Sequence, residues 1–261
     1  NPEPQAYADA FQMLWETLLG IQKETGVRLE HINLGGGFPV NYLRDRSQSG
    51  EFPREQREMF SADFEPSVAI ADAWYLVKNI AADTQTTDVL DGITLLLEPG
   101  RGIIADAGIC LTTVRNLKQR PIDESKIQNP ESRMESWLLV DAGFNILLSM
   151  VTYKWYYHMI SAERAGEEHF VPYKLAGPLC DGGDVYFDVE GHNRLPDHRL
   201  LPGNVEPGEV LAMLNCGAYT LAQASQYNGR FLPPVVLIKS DGSTELIRRR
   251  DTFEDLVAND M

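Results

Sequence analysis

Val27-Arg28-Leu29-Glu30-His31-Ile32-Asn33-Leu34 alternates apolar and polar residues over eight positions, then runs directly into Gly35-Gly36-Gly37. Alternation over that length is the period of a strand, and the glycines at its carboxyl end predict a loop there. Upstream, Tyr7, Phe11, Leu14, Leu18 and Ile21 recur at spacings of three and four, which predicts an amphipathic helix over residues 6–24 with Gly26 as its stop. Downstream, residues 66–82 read as a second helix, with Val68, Ala71, Trp74, Tyr75 and Ile80 available for burial. Asp91-Gly92 then turns into Ile93-Thr94-Leu95-Leu96-Leu97, a short apolar run of the kind found in strands buried on both faces. Helix, strand, helix, strand in this order predicts β/α units on a parallel sheet.

The pattern changes near residue 107. Thr112-Thr113-Val114, residues 137–140, 185–189, 210–213 and 234–238 are short apolar runs separated by Gly, Pro, Asp and Asn, which predicts a largely antiparallel β region. A helix is expected at residues 218–227, and the polar, proline-containing stretch 123–135 reads as an exposed connection. Two domains follow: residues 1–107 with β/α character and residues 108–261 with β character.

Composition narrows the function. Of 261 residues, 43% are apolar and 23% charged, which predicts a soluble globular protein and excludes a disordered chain. No apolar stretch approaches the roughly 18 residues that span a bilayer. With 23 basic against 38 acidic residues the net charge is −15, so the average field repels phosphate backbones and anionic membranes, and neither nucleic acid nor membrane is an expected partner. Cys110, Cys180 and Cys216 are odd in number and widely spaced, which points to a reducing, cytoplasmic compartment rather than a disulfide framework. The five histidines show no metal-ligand spacing, so no metal is expected. Asn1-Pro2-Glu3-Pro4 offers neither a signal peptide nor a translation start.

Four features carry chemistry. Glycines after a strand leave backbone N–H groups unshielded and able to converge on a phosphate, although a ligand-free sharp turn uses glycine equally well. Glu98-Pro99-Gly100-Arg101-Gly102 places an acid and a base at the carboxyl end of the second strand, where β/α barrels build active sites; the pair also suits a rim ion pair. Gly177-Pro178-Leu179-Cys180-Asp181-Gly182-Gly183-Asp184 sets a thiol and two carboxylates on a turn-rich loop, where the flanking glycines argue against burial of the cysteine. Asn215-Cys216-Gly217-Ala218-Tyr219-Thr220, followed by Tyr227-Asn228-Gly229, contains a tyrosine able to offer its phenol to an anion or to sit in a core.

Taken in order, Leu34-Gly35-Gly36-Gly37-Phe38, Glu98-Pro99-Gly100-Arg101, the 177–184 loop and Gly217-Ala218-Tyr219-Thr220 resemble the pyridoxal-phosphate-dependent basic amino acid decarboxylases of the alanine-racemase-like fold. That family includes diaminopimelate, ornithine and biosynthetic arginine decarboxylases, and Val140-Asp141-Ala142-Gly143-Phe144-Asn145 is most similar to the diaminopimelate branch. The resemblance implies the back part of a (β/α)8 TIM-type barrel followed by a C-terminal antiparallel β domain. It implies decarboxylation of an amino acid through an external aldimine, in a homodimer with shared active sites. Gly35, Gly36 and Gly37 become the phosphate cradle, Gly100, Arg101 and Tyr219 cofactor contacts, and Glu98 the partner of the pyridine nitrogen. On a loop that reaches across the dimer interface, Cys180 becomes the group that protonates the product carbon and Asp181 the one that binds a substrate amine.

The pattern also departs from the family. Its Schiff-base lysine lies far upstream of the glycine loop, and none of Lys23, Lys78, Lys118, Lys126, Lys154, Lys174 and Lys239 has the required strand-end context. The expectation is a C-terminal portion, its N-terminal barrel part supplied in the same chain or by a separate polypeptide. Ser149-Met150-Val151-Thr152-Tyr153 stands where diaminopimelate decarboxylases carry Arg-Pro-Ala-Leu-Tyr, so only Tyr153 is kept as a substrate contact. The neighbouring Lys154, Trp155, Tyr156, Tyr157 and His158 suit a larger or conjugated amino acid, or a packed core. A catalytically dead regulatory homologue and an amino acid racemase are the alternatives, and retention of Cys180 with Asp181 favours decarboxylation.

Overall fold

The computed structural model of the chain describes residues 4–38, 40–41, 66–122, 134–190 and 195–260. These fall in two units, Asn1–Ala105 and Asp106–Met261.

In the first unit the leading apolar stripe becomes helix α1, Pro4–Thr25. It ends at Gly26, whose φ of +71° is the left-handed value that glycine adopts without strain and whose N–H caps Gln22 O at 2.9 Å. Tyr7, Phe11, Trp15 and Leu18 are buried on one face of α1, so Trp15 belongs to the stripe along with the residues picked out by spacing. Helix α2, Pro66–Asp83, meets them with Ala69, Ala73, Val77 and Ala81. That is a correction to the expected face: Val68 and Tyr75 are 55% and 67% exposed. Small residues four apart let one helix approach another closely, so the large rings of α1 fill the space that alanines leave.

Strand β1 is only His31–Asn33, shorter than the alternating stretch predicts, and it pairs in parallel with β2, Thr94–Leu96. Parallel neighbours need a long crossover, and α2 lies within theirs. Strand β2 is not buried on both faces: it pairs with β1 among the described residues, and Leu96 and Leu97 stay 41% and 38% exposed. The short helix α3, Gly100–Ile104, follows it directly.

The second unit is built on six strands: β3, Cys110–Pro121; β4, Met134–Val140; β5, Met159–Ser161; β6, Val171–Ala176; β7, Arg199–Leu201; and β8, Val210–Met213. Their order is β5-β8-β3-β4-β6-β7. All pairs are antiparallel except β4 with β6, which run parallel because the chain between them passes through helix α4, Leu148–Thr152, and strand β5 before returning. Val114, Leu138, Val140, Leu175, Leu211 and Met213 form the core of this sheet. A separate antiparallel pair, β9 (Val235–Ile238) and β10 (Thr244–Arg248), follows, and the last helix is α5, Phe253–Leu256.

Three sequence expectations differ here. Residues 185–189 form no strand, only an isolated bridge between Val185 and Ala176. The helix expected at 218–227 is replaced by short 3-10 turns at Leu221–Gln223 and Tyr227–Gly229, broken by Asn228 at φ 56°. Of the expected connection, residues 123–133 lie outside the described residues, and Met134 and Glu135 already open β4. No helix among the described residues is long and apolar enough to cross a membrane.

Asp141, just past β4, ties that strand to β3. Its carboxylate accepts from Thr112 Oγ1 and the Thr113 N–H, both at 2.8 Å, and from Arg115 Nη2 at 2.7 Å. Burial pushes the Asp141 carboxyl up, but these donors together hold it below the ordinary aspartate value. A lowered folded pKa stabilises above the unfolded value, about 3.9, and that contribution is lost as pH falls through the folded value. The melting-temperature gap between wild type and Asp141→Asn should therefore hold steady near neutrality and close below about pH 4, as read by calorimetry across pH. A gap unchanged at pH 2–3 would remove Asp141 from the acid response.

Candidate functional site

The carboxyl ends of β1 and β2 are stitched together by one side chain. Asn33 closes β1, and its Nδ2 donates to Glu98 Oε1 while its Oδ1 accepts from the Gly35 N–H, each at 2.8 Å. The Glu98 N–H in turn donates to Gly35 O at 2.8 Å. This crossing leaves no room for a side chain at Gly36, where a Cβ would stand 2.6 Å from Glu98 O. Gly35 and Gly37 have φ of +74° and +79°, which glycine alone adopts without strain, and a Cβ at either would meet nothing within 4 Å among the described residues. An exposed carboxylate thus sits beside the glycine loop.

What anchors the loop comes from the same unit. Phe38 is buried and stacks on Tyr7 of α1 with ring centroids 5.6 Å apart and planes 6° from parallel. Tyr7 O–H donates to Gly37 O at 3.4 Å. Gly100 and Arg101 open α3 immediately after Glu98, so Gly35, Gly36, Gly37, Glu98, Gly100 and Arg101 gather at one pair of strand ends. The arrangement can present backbone amides to an anion and a carboxylate to a cationic or protonated ring atom.

In the second unit the two acids of the 177–184 loop have opposite roles. Asp184 is 2% exposed, and its carboxylate accepts from the Phe144 and Leu179 N–H groups, each at 2.8 Å. It fills the space that side chains at Gly143 and Gly177 would need. Burial pushes the Asp184 carboxyl up, against the pull of those two N–H groups. Asp181 and Cys180, by contrast, are exposed. The Gly183 N–H donates to Asp181 Oδ1 at 2.8 Å, and Tyr227 O–H donates to Asp181 Oδ2 at 3.2 Å. The Cys180 N–H donates to Asn228 Oδ1 at 2.7 Å. A cavity of about 390 Å³, bordered by Asp181, Asp184, Trp137, Phe187 and Arg120, adjoins this loop.

A second group in this unit is an aromatic row. Tyr219, at φ 60° and 40% exposed, packs on Trp155 with centroids 5.2 Å apart, and Trp155 stacks on Tyr153 at 5.1 Å. The rest of that aromatic cluster is core: Tyr156, Tyr157 and His158 are at most 2% exposed. Lys154 pairs with Asp188 at 3.5 Å. Ser149 is wholly buried and donates to Gln223 Oε1 at 2.7 Å.

Sequence reasoning missed Asn33, Tyr227 and Asn228. Asn33 carried a weak signal, being the last polar position before the glycines. Tyr227 and Asn228 stood beside the Tyr219 motif but received no role, because their partners lie 46 and 48 residues away.

The family model described as "Pyridoxal-dependent decarboxylase, C-terminal sheet domain" matches residues 31–217. The diaminopimelate decarboxylase of Methanocaldococcus jannaschii is 32% identical over 92% of this chain and 44% of its own length. That of Escherichia coli K12 is 34% identical over 90% of the chain and 48% of its own. The crystal structure of the M. jannaschii enzyme in complex with L-lysine superposes with a TM-score of 0.73 at 27% identity, covering 100% of this chain and 49% of that one. The chain therefore spans about half the length of the relatives it matches, and its fold is that of their later β/α part and C-terminal sheet domain.

Proposed function

Because this chain belongs to the pyridoxal-dependent decarboxylases, whose C-terminal sheet domain it matches over residues 31–217, we propose that it is part of an enzyme that removes the α-carboxylate of an amino acid with pyridoxal phosphate as cofactor. The observation that carries this reading is the Asn33 bridge, which sets the Glu98 carboxylate beside the glycine loop. The residues present fit the cofactor: Gly36 tolerates no Cβ, Gly35 and Gly37 meet no neighbour among the described residues, and a carboxylate lies at the same strand ends.

In this reading the amides of the Gly35–Gly37 loop, Gly100 and Arg101 hold the phosphate, and the Tyr219 phenol is a further ligand to it. Pyridoxal phosphate, when bound, supplies an electron-withdrawing ring that takes up the electron pair released with CO₂. Glu98 holds a proton at the ring nitrogen, which that uptake requires. Asn33 fixes the rotamer of Glu98, so the carboxylate is in place before the reaction begins. The Cys180 thiol returns a proton to the carbon that lost its carboxylate, and Asp181 accepts hydrogen bonds from a substrate amine. A two-fold homodimer brings the Cys180 loop of one subunit to its partner's site.

The substrate is a larger or conjugated amino acid. Ser149 is buried and engaged with Gln223, so it offers nothing to a distal carboxylate, whereas the exposed Tyr153 and Tyr219 both pack on Trp155. We place the enzyme in the cytoplasm, where three free thiols persist.

The test is an absorbance spectrum of the intact native polypeptide with added pyridoxal phosphate, before and after borohydride. A long-wavelength band that borohydride fixes as a covalent adduct, on a polypeptide heavier than the 29.3 kDa of this chain, is the expected result. A native polypeptide that forms no adduct would overturn the reading in favour of a non-catalytic homologue.

A further inference from the structure

We propose that Tyr227 is a positioning residue: its phenol O–H holds the Asp181 carboxylate in the orientation that receives the substrate amine. The inference rests on the decarboxylase reading and adds to it a role for a residue that the sequence shows only as a neighbour of the Tyr219 motif and that lies outside the family match.

The geometry begins with a carboxylate that has no packing reason to stand still. Asp181 is exposed, and fixing an exposed side chain costs rotamer entropy of the same order as one hydrogen bond contributes. Both of its oxygens are nevertheless engaged, Oδ1 by the Gly183 N–H and Oδ2 by Tyr227. An ionised carboxylate has about four acceptor sites, so two donors orient it and leave capacity for an incoming ammonium.

Tyr227 is itself held. Its ring stacks on Phe144 at 5.6 Å, and the Phe144 N–H donates to the buried Asp184, whose other oxygen accepts from Leu179. The next residue, Asn228, takes the left-handed conformation at φ 56° and accepts the Cys180 N–H. Arg230 Nη2 donates to Pro178 O at 2.5 Å. One four-residue segment therefore grips the Cys180–Asp181 loop at three points, two of them backbone groups that fix the loop and one a side chain that aims the acid. Donation to Asp181 also raises the phenol's own pKa above the ordinary tyrosine value.

The experiment uses the intact native polypeptide loaded with pyridoxal phosphate, with diaminopimelate, ornithine, arginine and larger, conjugated derivatives of these amino acids as probes in a CO₂-release assay. Tyr227→Phe keeps the ring and its stack on Phe144 and removes only the O–H. A contact that orients a binding group acts on ground and transition states alike, so KM for the decarboxylated probe should rise about tenfold with kcat within about twofold. In the Asp181→Asn background the same change should add less than about twofold, because the group it aims is gone. Independently of activity, the Tyr227 ring resonance, assigned by its loss in Tyr227→Phe, should titrate above free tyrosine in the wild type and fall back in Asp181→Asn. An unchanged KM in an active Tyr227→Phe enzyme, or a full additional effect in the Asp181→Asn background, overturns the positioning role and leaves the decarboxylase reading intact. A wild type that forms no borohydride-fixed adduct with pyridoxal phosphate overturns that reading and this inference together, whereas a Tyr227 resonance that does not move in Asp181→Asn overturns this inference alone, whichever probe is turned over.

Discussion

Replacing Glu98 by alanine in the intact native polypeptide should lower kcat for CO₂ release by about 10²–10³-fold, the size expected when a preorganised charged partner of the reacting system is deleted. Cofactor binding should survive, because the phosphate is held by backbone amides that the change does not touch. The Glu98 N–H to Gly35 O bond and the close approach over Gly36 are main-chain features, and alanine at 98 keeps both. Measuring cofactor affinity by absorbance titration beside steady-state turnover separates the two effects. Glu98→Gln sharpens the test, since it preserves an acceptor for Asn33 Nδ2 but carries no charge to keep a ring nitrogen protonated. If Glu98→Gln turns over at the wild-type rate, the carboxylate has no part in the chemistry.

The reach of the sequence can be judged at single residues. The Gly35–Gly37 loop and Glu98 were legible because local period and strand-end position are properties of adjacent residues. The bridge between them was not, because Asn33 and Glu98 are 65 residues apart and meet only when β1 and β2 pair. Helix α2 shows a different limit. Ranking by hydrophobicity selects Val68 and Tyr75, but the packed face is Ala69, Ala73, Val77 and Ala81, since the bulk is supplied by Phe11 and Trp15 on α1. On the 177–184 loop the composition identified two acids and could not say that one is buried and structural while the other is exposed. That distinction depends on the Phe144 N–H, which reaches Asp184 across 40 residues. The aromatic cluster at 153–158 divided in the same way, with Tyr153 left at the surface and Tyr156 to His158 taken into the core.

The largest stability loss should come from that buried acid. Asp184→Ala strips the Phe144 and Leu179 N–H groups of their acceptor and opens a void beneath Gly143 and Gly177. Hydrogen bonds to a charged acceptor contribute about 1.5–3 kcal/mol each, so losing both should cost about 3–6 kcal/mol. For a unit of this size that corresponds to a fall of about 6–24 °C in melting temperature. Asp184→Asn should fall part of the way, because the amide keeps one acceptor but turns a donor toward a backbone N–H. The pH response has a definite sign. Burial raises the folded pKa of Asp184, so the folded state holds this proton more tightly than the unfolded chain does. Its titration therefore favours folding most below the unfolded value, about 3.9, and that part is lost as pH rises through the folded value. Asp141 acts in the opposite direction, so the two acids are separated by comparing each variant with wild type across pH rather than by the wild-type curve alone. Calorimetry of Asp184→Ala showing a melting temperature within about 2 °C of wild type would mean that water replaces the carboxylate at no cost. The loop carrying Cys180 and Asp181 would then be held by Tyr227 to Arg230 instead of by the buried acid.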